Sequence, residues 1–128
     1  MVDIKRTVKA SVRLPFEAMA RALLPKNYQL SLVICADTLA TRMNKEYRKK
    51  TYKPNVLSFP ISDTEGEIFL NIRKAEREAS KMGIPAKWRI AHLFIHACAH
   101  LSGHDHSDKM DALETRILKR FGFDGIPH

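Results

Sequence analysis

Three histidines stand at a spacing that suits a metal ion. The run is His96-Ala97-Cys98-Ala99-His100-Leu101-Ser102-Gly103-His104-Asp105-His106. Residues four apart on a helix lie about 40° apart around its axis and one turn apart along it, so the imidazoles of His96 and His100 can meet on a single cation. Gly103 is placed to end that helix, because glycine takes the left-handed cap conformation without steric cost. The chain then turns back and can deliver His106 as a third ligand. Three neutral imidazoles with one open position are the ligand set of a catalytic zinc rather than a closed structural one, although nickel, cobalt and copper also accept three histidines. The alternative is three histidines hydrogen-bonded to backbone or solvent. Ala91, Leu93, Phe94, Ile95, Ala97, Cys98 and Leu101 make the helix apolar nearly all round and mark it as buried. Polar rings there need partners inside the protein. Cys98 falls on the opposite side from the histidines and reads as core.

The neighbours of this run suggest supporting roles. Asp105 either accepts a hydrogen bond from a ligand histidine and orients it or caps the following helix. His92, one turn before His96, reads as core or as outer support rather than as a ligand. His104 offers a titratable ring beside the site, or is an exposed loop residue. Zinc lowers the pKa of bound water from about 15.7 to about 7 and so supplies a nucleophile at neutral pH. The spacing is similar to that of zinc proteases with a glycine turn. In the His-Glu-x-x-His proteases the glutamate after the first histidine is the general base. Here that position is Ala97, so peptide hydrolysis is disfavoured. A phosphodiester needs cations on its non-bridging oxygens instead. Arg48 can pair two of them with its guanidinium fork, or is an ordinary solvated arginine at a helix end.

Two stretches resemble one known family. The histidine run is similar to the motif His-Gly-x-Leu-His-Leu-x-Gly-Tyr-Asp-His of the YbeY family of bacterial endoribonucleases, also called ribosomal RNA maturation factors. Ala97, Ala99 and His104 depart from it, and none of the three is a ligand position in that family. The stretch from Tyr47 to Pro60 resembles its second signature, Tyr-Arg-x-Lys-Asp-x-Pro-Thr-Asp-Val-Leu-Ser-Phe-Pro, through Tyr47, Arg48, Lys50, Val56, Leu57, Ser58, Phe59 and Pro60. Gly66-Glu67-Ile68 is similar to the family's Gly-Asp-Ile segment, and Met110 with Glu114 fits its Met-x-x-x-Glu helix. The resemblance covers about Leu39 to Phe121. It implies a zinc-dependent endoribonuclease acting on single-stranded RNA, in maturation of the small-subunit ribosomal RNA 3′ end and in ribosome quality control. It also implies ribosomal RNA and small-subunit ribosomal proteins as partners, one zinc ion on His96, His100 and His106, and a part in activity for Arg48. Two alternatives stay open: a non-catalytic ribosome-assembly factor whose metal supports folding, and another zinc hydrolase acting on peptides or amides.

Composition fits a small basic globular domain. At 128 residues one domain spanning 1–128 is expected, long enough for a real core without staples. The net charge of +8 favours polyanionic partners. Arg42, Lys45, Arg48, Lys49, Lys50 and Lys53 crowd into one stretch, and Arg73, Lys74, Arg77, Lys81, Lys87 and Arg89 lead up to the histidine helix. Lys49, Lys50 and Lys53 are the candidate contacts to an RNA backbone. Tyr52 and Tyr47 can stack on unpaired bases, or belong to the core. No apolar run is long enough to span a bilayer. The start of the chain carries no export signal, which points to the cytoplasm. Cys35 and Cys98 fit reduced thiols there.

Periodicity and punctuation then supply the elements. Strands are expected at Val2–Val8, Tyr28–Cys35, Val56–Phe59 and Gly66–Asn71. The third is an edge strand stopped by Pro60, and Ile61–Glu65 is a polar turn closing a hairpin. Helices are expected from Pro15 to Leu24, from Leu39 to about Tyr47 with Asp37 or Thr38 as cap, and from Ile72 to Lys81 with Asn71 as cap. A long histidine helix opens at Pro85, and a last helix runs from a Ser107 or Asp108 cap to Phe121. The segment 122–128 is expected to fray. The fold class is α+β: a small mixed sheet of about four strands with about five helices, and a zincin-like metal site on a central buried helix.

Overall fold

The structure, a computed structural model, describes residues 1–10, 12–104 and 107–123. Nine elements follow in chain order: β1 (Val2–Arg6), α1 (Phe16–Leu23), β2 (Gln29–Cys35), α2 (Asp37–Arg48), β3 (Val56–Ser62), β4 (Glu65–Asn71), α3 (Ile72–Met82), α4 (Ala86–Leu101) and α5 (Asp108–Arg120). The sheet order is β1-β2-β4-β3. β1, β2 and β4 run parallel, and β3 returns antiparallel along β4, which gives the expected mixed sheet with β3 at an edge.

Strand alternation divides the interior in two. Leu30, Leu32 and Ile34 of β2, with Ile68 and Leu70 of β4, face a large core shared with α1, α3, α4 and α5. Val33 and Cys35 face the other way, with Phe69 and Leu57, under Ala40, Leu39 and Met43 of α2. The register sets Leu32 beside Ile68, Ile34 beside Leu70, and Val33 beside Phe69, so each layer is continuous across strands. α4 touches α1, α3, α5, β3 and β4. Its surroundings therefore account for an apolar surface nearly all round.

Several local expectations change. Pro60 does not end β3. The strand runs on to Ser62 through a register shift after Pro60, which is tolerated because an edge strand has no second neighbour to lose a ladder hydrogen bond. The turn shortens to Asp63-Thr64. α2 starts at Asp37 without a side-chain cap, because Asp37 is engaged elsewhere: its carboxylate accepts from Arg77 at 2.8 and 3.1 Å and from Asn71 Nδ2 at 2.9 Å. Asn71 caps α3 as expected, accepting from the Lys74 N–H, and Ser107 rather than Asp108 caps α5. Fraying does not begin at 122. Phe123 is buried against Trp88, ring centroids 5.8 Å apart, and its N–H bonds the Leu118 carbonyl. Residues 124–128 lie outside the described residues. Among the described residues, no helix is long and apolar enough to cross a membrane.

Two predictions follow from this packing. A Cβ at Gly66 would collide with the Tyr28 hydroxyl and press on both Leu101 methyls at 3.1 and 3.2 Å. Gly66→Ala should therefore cost about 1–3 kcal/mol in urea denaturation. Adding Tyr28→Phe should recover much of that, since among the described residues the buried Tyr28 hydroxyl makes no hydrogen bond that would be lost. Hydrogen bonds from Arg77 and then Asn71 hold the Asp37 carboxyl at about 2, below its ordinary 3.8. A lowered folded-state pKa gives stability that is present above the ordinary value and lost as pH falls towards the folded one. Asp37→Asn should therefore lower the melting temperature by a few degrees at neutral pH and flatten its fall between pH 3.8 and about 2.

Candidate metal centre and cleft

The histidines of α4 are held by hydrogen bonds that decide which nitrogens carry hydrogen. His96 Nδ1–H donates to Glu114 Oε2 at 2.7 Å. His100 Nδ1–H donates to the backbone carbonyl of His104 at 3.1 Å. Both partners can only accept, the carboxylate because it is ionised. In the neutral rings both lone pairs therefore sit on Nε2, and the two Nε2 atoms face each other at 3.1 Å. Two lone pairs so placed repel each other, and a cation between them would turn repulsion into ligation. A tetrahedral zinc with Zn–N bonds of about 2.05 Å sets its nitrogens about 3.3 Å apart, so the pair is spaced to share one ion. The rings stand nearly perpendicular, with centroids 4.6 Å apart. Asp105 and His106, the expected orienting carboxylate and third ligand, lie outside the described residues.

Glu114 organises this end of the helix. It is 1% exposed and accepts from both His96 and His92 Nε2–H, the latter at 3.1 Å. Burial pushes its carboxyl up, but the hydrogen bonds from His92 and His96 outweigh burial and hold it at about 2. His92 Nδ1 accepts from Arg89 at 3.3 Å. Both nitrogens of His92 are thus engaged within the protein, and it supports the pair from behind. The signal for Glu114 lay in its phase: it shares the buried face of α5 with Met110, Ile117 and Leu118, and an acid on a buried face needs partners.

A cleft of about 590 Å³ opens on the pair. His96, Ala97, His100 and Leu101 form one wall, Asn55–Ser58 and Pro60 of the β3 segment another, and Arg48 and Tyr52 its end. Among the described residues no carboxylate lines it. The fold brings Arg48 and Tyr52, over forty positions before His96, into the same cleft, with Arg48 donating to the Tyr52 hydroxyl at 3.3 Å. Asn44, fully buried, sets this corner. Its side chain donates to the Tyr52 carbonyl at 3.0 Å, and its own carbonyl accepts from Lys49 and Lys50. Lys49 closes α2 in the left-handed conformation, φ 57°, directly after Arg48, which lines the cleft. Lys49, Lys50 and Lys53 are exposed and do not line the cleft; the Lys53 carbonyl accepts from Lys74. Tyr47 is no core residue: it is 66% exposed against Phe59. His104 enters through its backbone, and its ring is on an exposed residue. Burial pushes the Cys98 thiol far up, and Cys98 faces the core.

The family model for endoribonuclease YbeY matches residues 2–122. The chain belongs to this endoribonuclease family. It is 31% identical to endoribonuclease YbeY of Aromatoleum aromaticum over 95% of this chain and 88% of that protein. It is 36% identical to that of Thiobacillus denitrificans over 90% and 86%. The solution structure of TM1509 from Thermotoga maritima shares the fold, with a TM-score of 0.69 at 18% identity, covering 94% of this chain and 89% of that one.

Glu114→Gln keeps the size but offers one acceptor to two buried imidazole N–H groups. It should cost about 1–3 kcal/mol in chemical denaturation, measured with metal stripped so that folding alone is read.

Proposed function

We propose that this chain is a zinc-dependent endoribonuclease specific for single-stranded RNA, with His96, His100 and His106 as the metal ligands and Arg48 as the phosphate-binding cation. The observation that carries this reading is the convergence of two lone-pair Nε2 atoms at 3.1 Å in a cleft that also holds Arg48. Membership of the endoribonuclease family supports the substrate class. A zinc ion on these nitrogens supplies Lewis acidity and a water activated at neutral pH. The chain's own residues do the rest. Glu114 fixes His96 and keeps its Nε2 free of hydrogen. Arg48, at the cleft end, receives non-bridging phosphate oxygens. Tyr52, half exposed, offers a face for an unpaired base. Lys49, Lys50 and Lys53 draw in the backbone from outside the cleft without reading sequence. Ala97 beside His96, with no carboxylate lining the cleft among the described residues, favours an anionic substrate over a peptide that needs a glutamate base.

In the cell we assign it to the cytoplasm, to maturation of the small-subunit ribosomal RNA 3′ end and to ribosome quality control, with small-subunit proteins as neighbours. This rests on family resemblance and on a charge of +8 suited to RNA.

The decisive experiment is cleavage of an end-labelled single-stranded RNA, with zinc supplied, by wild type and by folded His100→Ala and Arg48→Ala variants. Wild type should cut and His100→Ala should not. Arg48→Ala should lose about 100-fold in rate with an unchanged melting temperature, because Arg48 is exposed. Equal cutting by wild type and His100→Ala would remove the histidines from the mechanism. A 2′,3′-cyclic phosphate end would show that the ribose hydroxyl, not water, attacks.

A further inference from the structure

The two edges of the sheet differ. The edge at β3 borders the cleft, which Asn55–Ser58 and Pro60 line. β1, at the other end of the order β1-β2-β4-β3, has no strand on its outer side among the described residues. Its hydrogen bonds show which backbone groups point outward. The Thr7 N–H donates to the Ile34 carbonyl, and the Met1 carbonyl accepts from the Leu30 N–H, both partners being on β2. Peptide groups alternate along a strand, so the odd positions bond β2, while Val2, Ile4 and Arg6 turn their N–H and C=O groups outward. A row of unpaired groups is a template for another strand. Side chains alternate as well. The register sets Val2 beside Leu30 and Ile4 beside Leu32, so Ile4 lies on the face of the large core, yet it stays 37% exposed. Asp3 and Lys5 lie together on the opposite face, exposed, and enter no ion pair among the described residues.

We propose that the β1 edge pairs with the same edge of a second copy of this chain, antiparallel, about a two-fold axis through Ile4. Backbone and charge select that register together. With the axis at Ile4, Val2 of each copy meets Arg6 of the other, Asp3 meets Lys5, and Ile4 meets Ile4. Outward groups then face outward groups, and ladder bonds form at Ile4 and at both Val2–Arg6 pairs. Asp3 and Lys5 fall at the non-hydrogen-bonded positions, where opposed side chains stand closest, as two crossed pairs of opposite charge. An axis at Asp3 opposes two aspartates, and an axis at Lys5 opposes two lysines. An axis between residues sets outward groups against groups already bonded to β2. A lysine on an edge strand ordinarily repels a second strand; here the counter-charge stands two positions away, where a two-fold about Ile4 brings it opposite. The same axis covers the exposed Ile4 with its symmetry mate. The joined sheet runs β3-β4-β2-β1-β1-β2-β4-β3, with the two clefts at its far ends. The strand offers 5 residues a side, well short of the roughly 20–30 of a stable interface, so the dimer is a weak one, in the micromolar to millimolar range.

Sedimentation equilibrium of the full chain tests this, at about 0.15 M salt, where charges more than about 8 Å apart are largely screened. The net +8 of each copy then opposes association little, while opposed cross-strand pairs, about 5 Å apart, still attract. Wild type should pass from monomer to dimer as concentration rises. Asp3→Lys and Lys5→Asp each turn both crossed pairs into like charges, and each should weaken association about 10-fold or more. Mixed in equal amounts the two variants should associate again, because positions 3 and 5 are then basic in one chain and acidic in the other. A chain carrying both changes restores the crossed pairs and should dimerise as wild type does. Both side chains are exposed, so melting temperatures should hold. If a single variant does not fold, the doubly changed chain and amide exchange decide. The Ile4 amide, which β2 does not bond, should exchange more slowly in concentrated than in dilute wild type. Wild type that stays monomeric to millimolar concentration overturns the proposal. So does a dimer that neither single change weakens, a pair of variants that does not associate on mixing, an Ile4 amide indifferent to concentration, or assembly beyond two copies.

Discussion

Glu114 carries a charge into the interior, and the packing of α4 against α5 is arranged to make that tolerable. A carboxylate loses its hydration there, at a cost of several kcal/mol. Two imidazole N–H donors from one face of α4, His92 and His96, replace the lost water. They are four residues apart, so both reach the same carboxylate only in one register of the two helices. Ile117 and Leu118, packed into the core beside Glu114, hold α5 in that register by apolar contact. Packing and polar pairing thus specify the same docking, and their agreement gives the site a single geometry. The cleft inherits its order from this contact, because the outward direction of His96 is set by what its inner nitrogen donates to.

The opposite wall is built by different means. α2 packs under the other face of the sheet, its last residue Arg48 lines the cleft, and Lys49 closes it in a conformation that glycine would adopt more cheaply. Lysine there keeps a positive charge beside Arg48. Asn44 then stitches the following loop to the helix with its side chain and its carbonyl. Asn71 does the same for the approach to β3: its N–H bonds the Asn55 carbonyl, and its side chain donates to the Pro54 carbonyl and to Asp37. Two buried asparagines therefore hold the segment between α2 and β3, and this segment supplies Tyr52 and Asn55 to the cleft beside Arg48 at the end of α2.

Much of this architecture was legible from periodicity and punctuation. The alternation of β2, the proline and glycine boundaries and the stripe of α5 rest on local physics, and those elements are found close to where they were expected. The Asn71 cap and the Ser107 cap are equally local. What escaped the sequence are contacts whose partners are far apart in the chain. Asp37 reads as a helix cap, yet it is drawn off by Arg77, 40 residues away. Pro60 reads as a stop, and it stops nothing because, among the described residues, the sheet has no further strand on that side. His92 reads as core or outer support, and its part became clear only when Arg89 and Glu114 were seen on its two nitrogens. Spacing shows which side chains share a face; it does not show what the facing element brings.

The same limit bears on chemistry. A pair of histidines four apart on a buried helix is common to sites that cut peptides and sites that do other work, and the pair itself does not choose between them. The choice lies in what stands beside the pair. A peptide needs a carboxylate to take a proton from water and later return it. The position next to His96 that would carry one is Ala97, and no carboxylate lines the cleft among the described residues. Among the described residues, the carboxylate hydrogen-bonded to His96 is Glu114, behind the ring and occupied by two imidazoles. It orients, and it is not placed to exchange protons with a bound substrate. In the same cleft lies an arginine at the start of an exposed, lysine-rich turn. Among the described residues, the site keeps its negative charge buried behind the histidines and presents positive charge in the cleft, an arrangement suited to a substrate that is itself an anion, which gives the phosphodiester reading physical content independent of family membership.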